Sequence, residues 1–423
     1  MLTLLPMGLA LAFDRPPART FALEAGVLLG LLGLGVLATQ LVISGRHRWF
    51  AAGIGQDNLL QFHRQMGLFA WLLVLAHPIT ILLAEPGFIH YLHPGDELLR
   101  ALALSGILIA TTLLIATSLW RVGMKLQYEW WRAIHGVLSL FVVSAGLGHA
   151  LMVDRYTAGW PVKIALAVAV GAALLLLIES RLLRPWRLKR KPWTVLESEG
   201  IEGDATRLVL EADGHKGIYF APGQYAWITL GNTPFSLQQH PFSMNSQAHT
   251  HSRLEFTAKH AGDFTRSLSE VKAGTRAWVE GPYGVFTLDP ASDRDAVFVA
   301  GGVGITPIIS MLRSCLAEKS RKKLLLIYAN VDRPSVLFWD ELEALSSKLN
   351  LDVVHVLKEA PEDWNGEEGL VDEELLDKYL DNTSGATDYF VCGPPPLMNV
   401  VESALRTRNV PLQSIHSERF NLV

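Results

Sequence analysis

His63-Arg-Gln-Met-Gly-Leu-Phe-Ala-Trp-Leu-Leu-Val-Leu-Ala-His77 and His135-Gly-Val-Leu-Ser-Leu-Phe-Val-Val-Ser-Ala-Gly-Leu-Gly-His149 are the two stretches on which the reading of this chain turns. Each is an apolar run bracketed by histidines fourteen residues apart. On an α-helix that interval rises about 21 Å and falls only about 40° short of four whole turns, so both rings lie near one face. Ionisable groups inside a bilayer are costly and functional by default. A single histidine there often only hydrogen-bonds between helices; matched pairs on two helices point to a shared ligand. One further apolar helix separates the two carriers, so they run in the same direction. His63 then meets His135 near one surface, and His77 meets His149 near the other. Two imidazoles from facing helices suit both axial positions of a haem iron, so two such pairs predict two stacked haems.

Working outward, five apolar segments are long enough to cross about 30 Å of hydrocarbon: Phe21–Ile43, Leu59–Leu83, Leu98–Leu119, Trp131–Val153 and Pro161–Ile178. A sixth, Leu2–Phe13, is short and carries Pro6, so the bundle is expected to have five or six helices. This opening stretch lacks the charged start and small-residue cleavage site of a signal peptide and is expected to be retained. Loop charge orients the bundle. The loops with Arg46 and Arg48, with Arg121 and Lys125, and the tail Arg181–Lys191 are basic, whereas Glu85–Glu97 has three acids and neither Lys nor Arg. The tail and all that follows are therefore expected in the cytoplasm. Trp130 and Trp131 at the inner edge and Trp160 at the outer fit an aromatic belt; Arg15 and Arg19, in an outer loop, go against the charge rule. Arg64 and Arg132 beside the inner pair suit haem propionates or simply the inner edge. His90 and His93 in the outer loop read as solvated.

Mean hydropathy over the 423 residues is +0.25, high for a soluble enzyme, and the excess lies before about residue 180. A net charge of −4 without a long basic run argues against a nucleic-acid partner. The two cysteines, Cys315 and Cys392, stand far apart in the second half, which excludes a disulfide framework and fits a reducing compartment.

Past the basic linker the apolar runs give way to short alternating segments. Trp193–Glu197, Thr206–Glu211, Tyr225–Leu230, Leu254–Lys259 and Thr275–Glu280 predict an antiparallel barrel. From about Asp295 strands alternate with helices, which predicts a parallel α/β sheet. Its first unit, Ala296-Val-Phe-Val-Ala-Gly-Gly-Val-Gly-Ile-Thr-Pro307, ends a buried strand in Gly301, Gly302 and Gly304 before a helix at Ile308–Leu316. Such a turn either lets backbone amides approach a pyrophosphate or serves packing alone. A second turn, Cys392-Gly393-Pro394-Pro395, follows the strand Asp388–Val391. Both are expected at the carboxyl edge, with Cys392 at the nicotinamide end or as a small buried residue.

Together these residues resemble the ferric reductase and NADPH oxidase superfamily, in particular its compact bacterial members without calcium-binding or adaptor domains. The resemblance runs from the second apolar segment to the C-terminus. It rests on the histidine pairs, His240-Pro241-Phe242-Ser243, Ala261-Gly262-Asp263-Phe264-Thr265, Gly-Pro-Tyr-Gly at 281–284, Gly301-Gly302-Val303-Gly304-Ile305-Thr306-Pro307, Cys392-Gly393-Pro394 and Ser417-Glu418-Arg419-Phe420.

The resemblance implies three parts: a transmembrane di-haem bundle (1–185), an FAD-binding β-barrel (186–290) and an NAD(P)H-binding α/β domain (291–423), the last two like ferredoxin-NADP reductase. It implies that His240, Pro241, Phe242 and Ser243 line the flavin. Lys259, Gly262, Asp263, Phe264 and Thr265 would serve its diphosphate, and Gly301, Gly302, Gly304, Thr306, Gly393 and Pro394 the dinucleotide. Phe420 would stack on the flavin, although Asn421-Leu422-Val423 follows it where many relatives end, and Cys392 and Phe420 would flank the reacting atoms. Asp332 suits a free ribose hydroxyl and Arg333 a 2′-phosphate; family precedent tips the choice to NADPH. The implied activity passes electrons from NADPH or NADH through FAD and two b-type haems, on His63, His135, His77 and His149, to an outer acceptor. Oxygen, giving superoxide, is the first expectation, and a ferric chelate drawn to Arg15, Arg19 and Arg155 the second. A multi-pass protein of the inner or plasma membrane is expected, with no obligatory protein partner. Rivals of another class are a non-catalytic haem sensor and a transporter with a regulatory nucleotide domain.

Overall fold

The computed structural model describes residues 2–13, 16–51, 54–380 and 386–420. The chain divides into two compact units, Met1–Pro185 and Trp186–Val423.

In the first unit a 3₁₀ turn at Leu2–Leu4 leads into α1 (Leu5–Phe13), and α2 (Phe21–Ser44) follows. Next come the single turn α3 (Arg48–Ala51), α4 (Gln56–Ala84), α5 (Leu98–Leu119), α6 (Tyr128–Met152) and α7 (Trp160–Ile178). The chain leaves through a π-helical turn, Glu179–Leu183, and α8 (Arg184–Leu188). Among the described residues five helices are long and apolar enough to cross a membrane. Leu2–Phe13 is not, since twelve helical residues reach only about 18 Å; Ala10 and Met7 instead pack it on Leu31, Val27 and Tyr156.

The most enclosed of the long helices is α2. Leu34, Ala38, Leu41 and Val42 meet Leu166, Val170, Ala173 and Leu177 of α7, while Val36 meets Ala70 and Leu73 of α4. The outward faces of α4 to α7 keep exposed Leu72, Ile109, Val137 and Val168, as lipid-facing helices must.

The second unit opens with β1 (Trp193–Ile201), β2 (Ala205–Ala212), β3 (Tyr225–Leu230), β4 (His240–Ser243), β5 (Arg253–Lys259), the short α9 (Asp263–Ser267) and β6 (Arg276–Tyr283). These strands pair antiparallel in the order β4-β3-β6-β1-β2-β5. A bridge from Met244 to Phe256 links the two ends of the sheet into a barrel. Its interior is filled by Trp193, Leu208, Leu210, Ile228, Met244 and Phe256.

Then follow β7 (Asp295–Gly301), α10 (Ile305–Ala317), β8 (Leu324–Asn330), α11 (Trp339–Ser346), β9 (Leu351–Leu357), β10 (Glu367–Glu368), α12 (Glu373–Leu380), β11 (Thr387–Cys392), α13 (Pro395–Thr407) and β12 (Ile415–Glu418). Every neighbouring pair is parallel, in the order β10-β9-β8-β7-β11-β12. Helices cover both faces, which is why β7 is apolar nearly throughout. Strand order reverses between β7 and β11, so the turns after both strands meet at one carboxyl-end crevice.

The two turns interlock through absent side chains. A Cβ on Gly304 would lie 2.1 Å from the Cys392 carbonyl oxygen, and one on Gly301 would lie 2.6 Å from Pro394 Cδ. Gly304→Ala is therefore expected to cost about 1–3 kcal/mol, because backbone rather than a flexible side chain must move. Chemical denaturation of the purified protein should show the loss; an unchanged midpoint would mean the turns are not in contact.

Candidate functional site

The structure brings together all four histidines as two pairs. Ring centres of His63 and His135 are 6.2 Å apart with planes at 60°; those of His77 and His149 are also 6.2 Å apart, with planes at 66°. A metal held about 2 Å from a nitrogen of each ring puts the ring centres about 6 Å apart, so the rings of either pair stand far enough apart to hold one metal ion between them. Among the described residues no group of three or more His, Cys, Asp or Glu is arranged for a metal.

His77 is placed with most care. Its Nδ1 lies 2.7 Å from the Gly26 carbonyl oxygen, which can only accept, so Nδ1 carries the hydrogen and Nε2 keeps its lone pair for a ligand. Gly30, one turn along α2, makes room for the ring: a Cβ there would fall 2.7 Å from His77 Nδ1. The signal for this was a glycine stripe, Gly26, Gly30 and Gly33, on one face of α2. In the His63–His135 pair, His63 Nδ1 and the neighbouring Trp131 Nε1 are buried without a hydrogen-bond partner among the described residues.

A cavity of about 480 Å³ opens beside His77 and His149, lined by Gly30, Leu34, Val74 and Leu108, with Arg19 and Arg155 among its polar residues. One carboxylate gathers the polar groups at its rim. Glu24 Oε1 accepts from Arg19 Nε at 3.2 Å, Arg19 N–H at 3.0 Å and Arg155 Nη2 at 2.8 Å, and its Oε2 accepts from Tyr156 OH at 2.6 Å. Asp154 also lines the cavity, so two guanidiniums and two carboxylates meet there. Arg15, expected beside them, lies outside the described residues.

In the second unit the flavin motif forms β4, a short strand at one end of the barrel sheet. The His240 ring stacks on Phe264 of the α9 turn at 3.9 Å, and Phe242 also faces Phe264 at 6.3 Å. Ser243 Oγ is buried with no hydrogen-bond partner among the described residues, as a group waiting for a flavin atom would be. Thr265 Oγ1 is occupied locally, accepting from the N–H groups of Ala261 at 2.9 Å and Gly262 at 3.1 Å. Asp263 opens α9, and Lys259 ends β5 with an exposed side chain. Phe420 follows β12 and is 44% exposed; residues 421–423, which bear on its stacking, lie outside the described residues.

At the crevice of the parallel sheet Gly302 has φ +53°, and a Cβ there would enter open space, so the turn presents bare backbone. Gly393 and Pro394 form its opposite wall. The Thr306 hydroxyl donates to the Val303 carbonyl at 2.9 Å and so braces the turn. Arg333 lies 3.6 Å over the Trp339 ring, which stacks on His355 at 4.2 Å; burial and the Arg333 charge pull His355 down to about 4. Asp332 accepts from Ser335 N–H at 3.0 Å and from its hydroxyl. Cys392 is fully enclosed, and burial, with the Glu418 carboxylate nearby, pushes its thiol well up. Its sulfur is a neutral packing group.

A membrane bundle with paired histidines, a flavin-type barrel and a dinucleotide-type sheet define a class: the membrane-spanning oxidoreductases that join FAD and NAD(P)H modules. Family models agree along the chain. Residues 29–146 match the ferric reductase like transmembrane component, 202–287 an FAD-binding domain and 298–403 the oxidoreductase NAD-binding domain. These three matches, in this order along one chain, are those of the ferric reductase and NADPH oxidase superfamily. Among curated proteins it is 34% identical over 167 residues to NADH-cytochrome b5 reductase 1 of Lodderomyces elongisporus, covering 39% of this chain and 55% of that one. It is also 34% identical over 146 residues to the Debaryomyces hansenii protein of the same name, covering 34% and 51%. The chain thus spans about half the length of the curated relatives it matches. Among solved structures, the Amycolatopsis cytochrome P450 reductase GcoB aligns with a TM-score of 0.48 at 24% identity, over 54% of this chain and 69% of that one.

Both thiols are enclosed, and burial raises each, Cys315 to about 11. In native protein both are expected to react with a thiol reagent at least about a hundredfold more slowly than an exposed cysteine. Labelling before and after denaturation checks this; rapid modification of the folded protein would overturn the enclosed position of Cys392.

Proposed function

We propose that this chain carries electrons from a cytoplasmic reduced dinucleotide, through FAD and two b-type haems, to an acceptor at the outer face. The observation that carries the reading is the pair of equal 6.2 Å histidine spacings, fourteen residues apart on both helices. In this reading residues 1–185 are the haem-bearing part, 186–290 hold FAD and 291–423 hold the dinucleotide. The protein is a multi-pass protein of the inner or plasma membrane with its second unit in the cytoplasm. It needs no protein partner and binds no nucleic acid.

FAD, when bound, supplies the conversion of a two-electron donor into single electrons, and haem iron supplies the one-electron relay. The residues do the rest. Gly302 and the facing Gly393-Pro394 wall leave backbone open to a pyrophosphate. Ser243 offers a hydroxyl to the flavin, and Phe420 shields its ring. His63 with His135, and His77 with His149, present ring nitrogens to iron, the Gly26 carbonyl fixing the tautomer of His77. Arg19 and Arg155 favour an anion at the outer mouth, a haem propionate or the product. No residue need act as a general acid or base.

Oxygen, reduced to superoxide, is the acceptor in the first reading, supported by the likeness of the motifs to NADPH oxidases. A ferric chelate is the second, favoured by the guanidiniums of Arg19 and Arg155 beside the cavity. Admitting oxygen to the reduced protein, with and without a ferric chelate, separates them by superoxide yield.

Purified protein reconstituted with haem should hold about two haems per chain with low-spin b-type bands, and His77→Ala or His149→Ala about one. Full haem content in either variant would remove those residues as ligands. For the donor, Arg333→Ala should raise the KM for NADPH about tenfold or more and leave that for NADH nearly unchanged, as loss of a phosphate contact does. Equal KM values before and after substitution would remove Arg333 as a phosphate contact.

A further inference from the structure

One face of α10 is fastened to the segment that follows the flavin-motif strand. Ser310, Arg313 and Ser314 stand three and four residues apart and so share a face. Ser310 Oγ donates to the Ser246 carbonyl at 2.7 Å, Arg313 Nη1 donates to the Asn245 carbonyl at 3.0 Å, and Ser314 Oγ accepts from Ala248 N–H at 3.1 Å. Asn245 is fully buried and extends the connection. With its amide oriented by the surrounding bonds, Nδ2 donates to the Ser243 carbonyl at 3.1 Å, and Oδ1 accepts from Thr257 Oγ1 at 2.6 Å and N–H at 3.1 Å.

Arg313 is held from two further sides. Glu341 of α11 accepts from Nε at 2.6 Å and Nη2 at 2.8 Å; Glu255 of β5 accepts from Nη1 at 3.0 Å. The other oxygen of Glu255 accepts from Arg207 Nη2 of β2 at 3.0 Å. Burial alone would raise the Glu255 carboxyl, but the two guanidiniums outweigh it and hold it below the usual range. Desolvation leaves such clusters with little net stabilising effect. What this one adds is a single geometry, because the guanidinium fork meets its carboxylates in one orientation.

Resting on the donor-to-flavin reading above, we propose that Arg313 is a positioning residue for hydride transfer, locking the helix that begins at the dinucleotide turn onto the segment behind the flavin strand. In that transfer a hydride with both electrons leaves C4 of the reduced nicotinamide and bonds to the flavin N5. The dinucleotide is oxidised and the flavin reduced, with no other reagent. Arg313 touches neither partner; it sets their separation and angle.

The test uses full-length protein loaded with FAD, comparing wild type, Arg313→Lys and the paired variant Arg313→Met with Glu341→Gln, which leaves no orphaned carboxylate on α11. Anaerobic stopped-flow with NADPH and NADH gives the limiting rate of flavin bleaching and the donor dissociation constant. Long-wavelength charge-transfer absorbance with oxidised dinucleotide reports ring overlap, and hydrogen exchange reports residues 245–250 independently of turnover. In the paired variant the limiting rate should fall about 30-fold while the dissociation constant stays within about twofold, since misplacement by about 1 Å costs on the order of a hundredfold. The charge-transfer band should weaken, exchange should quicken, FAD should stay bound, and Arg313→Lys should recover part of the rate. An unchanged rate and band in the flavin-replete paired variant overturns the proposal, as does a rate that falls only in step with lost FAD. Wild-type flavin that neither dinucleotide bleaches overturns the proposed function as well.

Discussion

Polar atoms among hydrocarbon have to be met from within the protein, and in this chain that constraint falls hardest on imidazoles. His77 meets half of it by giving its Nδ1 hydrogen to the Gly26 carbonyl, which leaves the lone pair of the other nitrogen free, with the His149 ring 6.2 Å away. That bond requires α2 and α4 to approach until a methyl group at position 30 would collide with the ring. The glycine stripe, the enclosure of α2 and the packing of α7 on its other side follow from that approach. The helices that face lipid instead carry ordinary leucines, isoleucines and valines.

The second unit solves a similar problem with the same device. Where β7 and β11 end side by side, two turns press together, and both Gly301 and Gly304 lack the atom that would hold them apart. Close approach in the bundle seats a ring; in the sheet it leaves open backbone at a crevice. Side chains that read as ligands from their motif positions partly serve this packing. Thr306 braces its own turn, Thr265 caps its own short helix, and Cys392 packs in the core of the parallel-sheet domain.

The long helices were legible because twenty or so apolar residues have few other fates, and α5 matches its expected limits at both ends. The histidine pairs were legible because spacing along a helix maps directly onto position around it. The central strands of both sheets were legible from apolar runs bounded by glycine and proline, and Tyr225–Leu230 matches as expected. By contrast, β4 is four residues long with Pro241 inside, so it reads as a motif and not as a strand. The seat of His77 depends on which faces of α2 and α4 meet, and the Arg313 cluster joins residues 28 and 58 positions apart. The first leaves a glycine stripe on α2 that does not name the helix it meets; the second leaves no periodic trace. Arg333 shows the remaining limit: its charge was visible, but its placement over Trp339 required the fold.

Strand order also sets an order of assembly during synthesis. β7 is made well before β11, yet β11 lies directly against it, with β12 beyond. A ribosome that has released everything up to Ala386 has produced all the membrane helices and the whole barrel. The glycine turn at 301–304 still has no opposite wall, because Cys392, Gly393 and Pro394 do not yet exist outside the exit tunnel. The crevice is therefore completed only after the bundle and the barrel, and a nascent chain can be inserted in its membrane, and fill its barrel, before it has anywhere to take a dinucleotide.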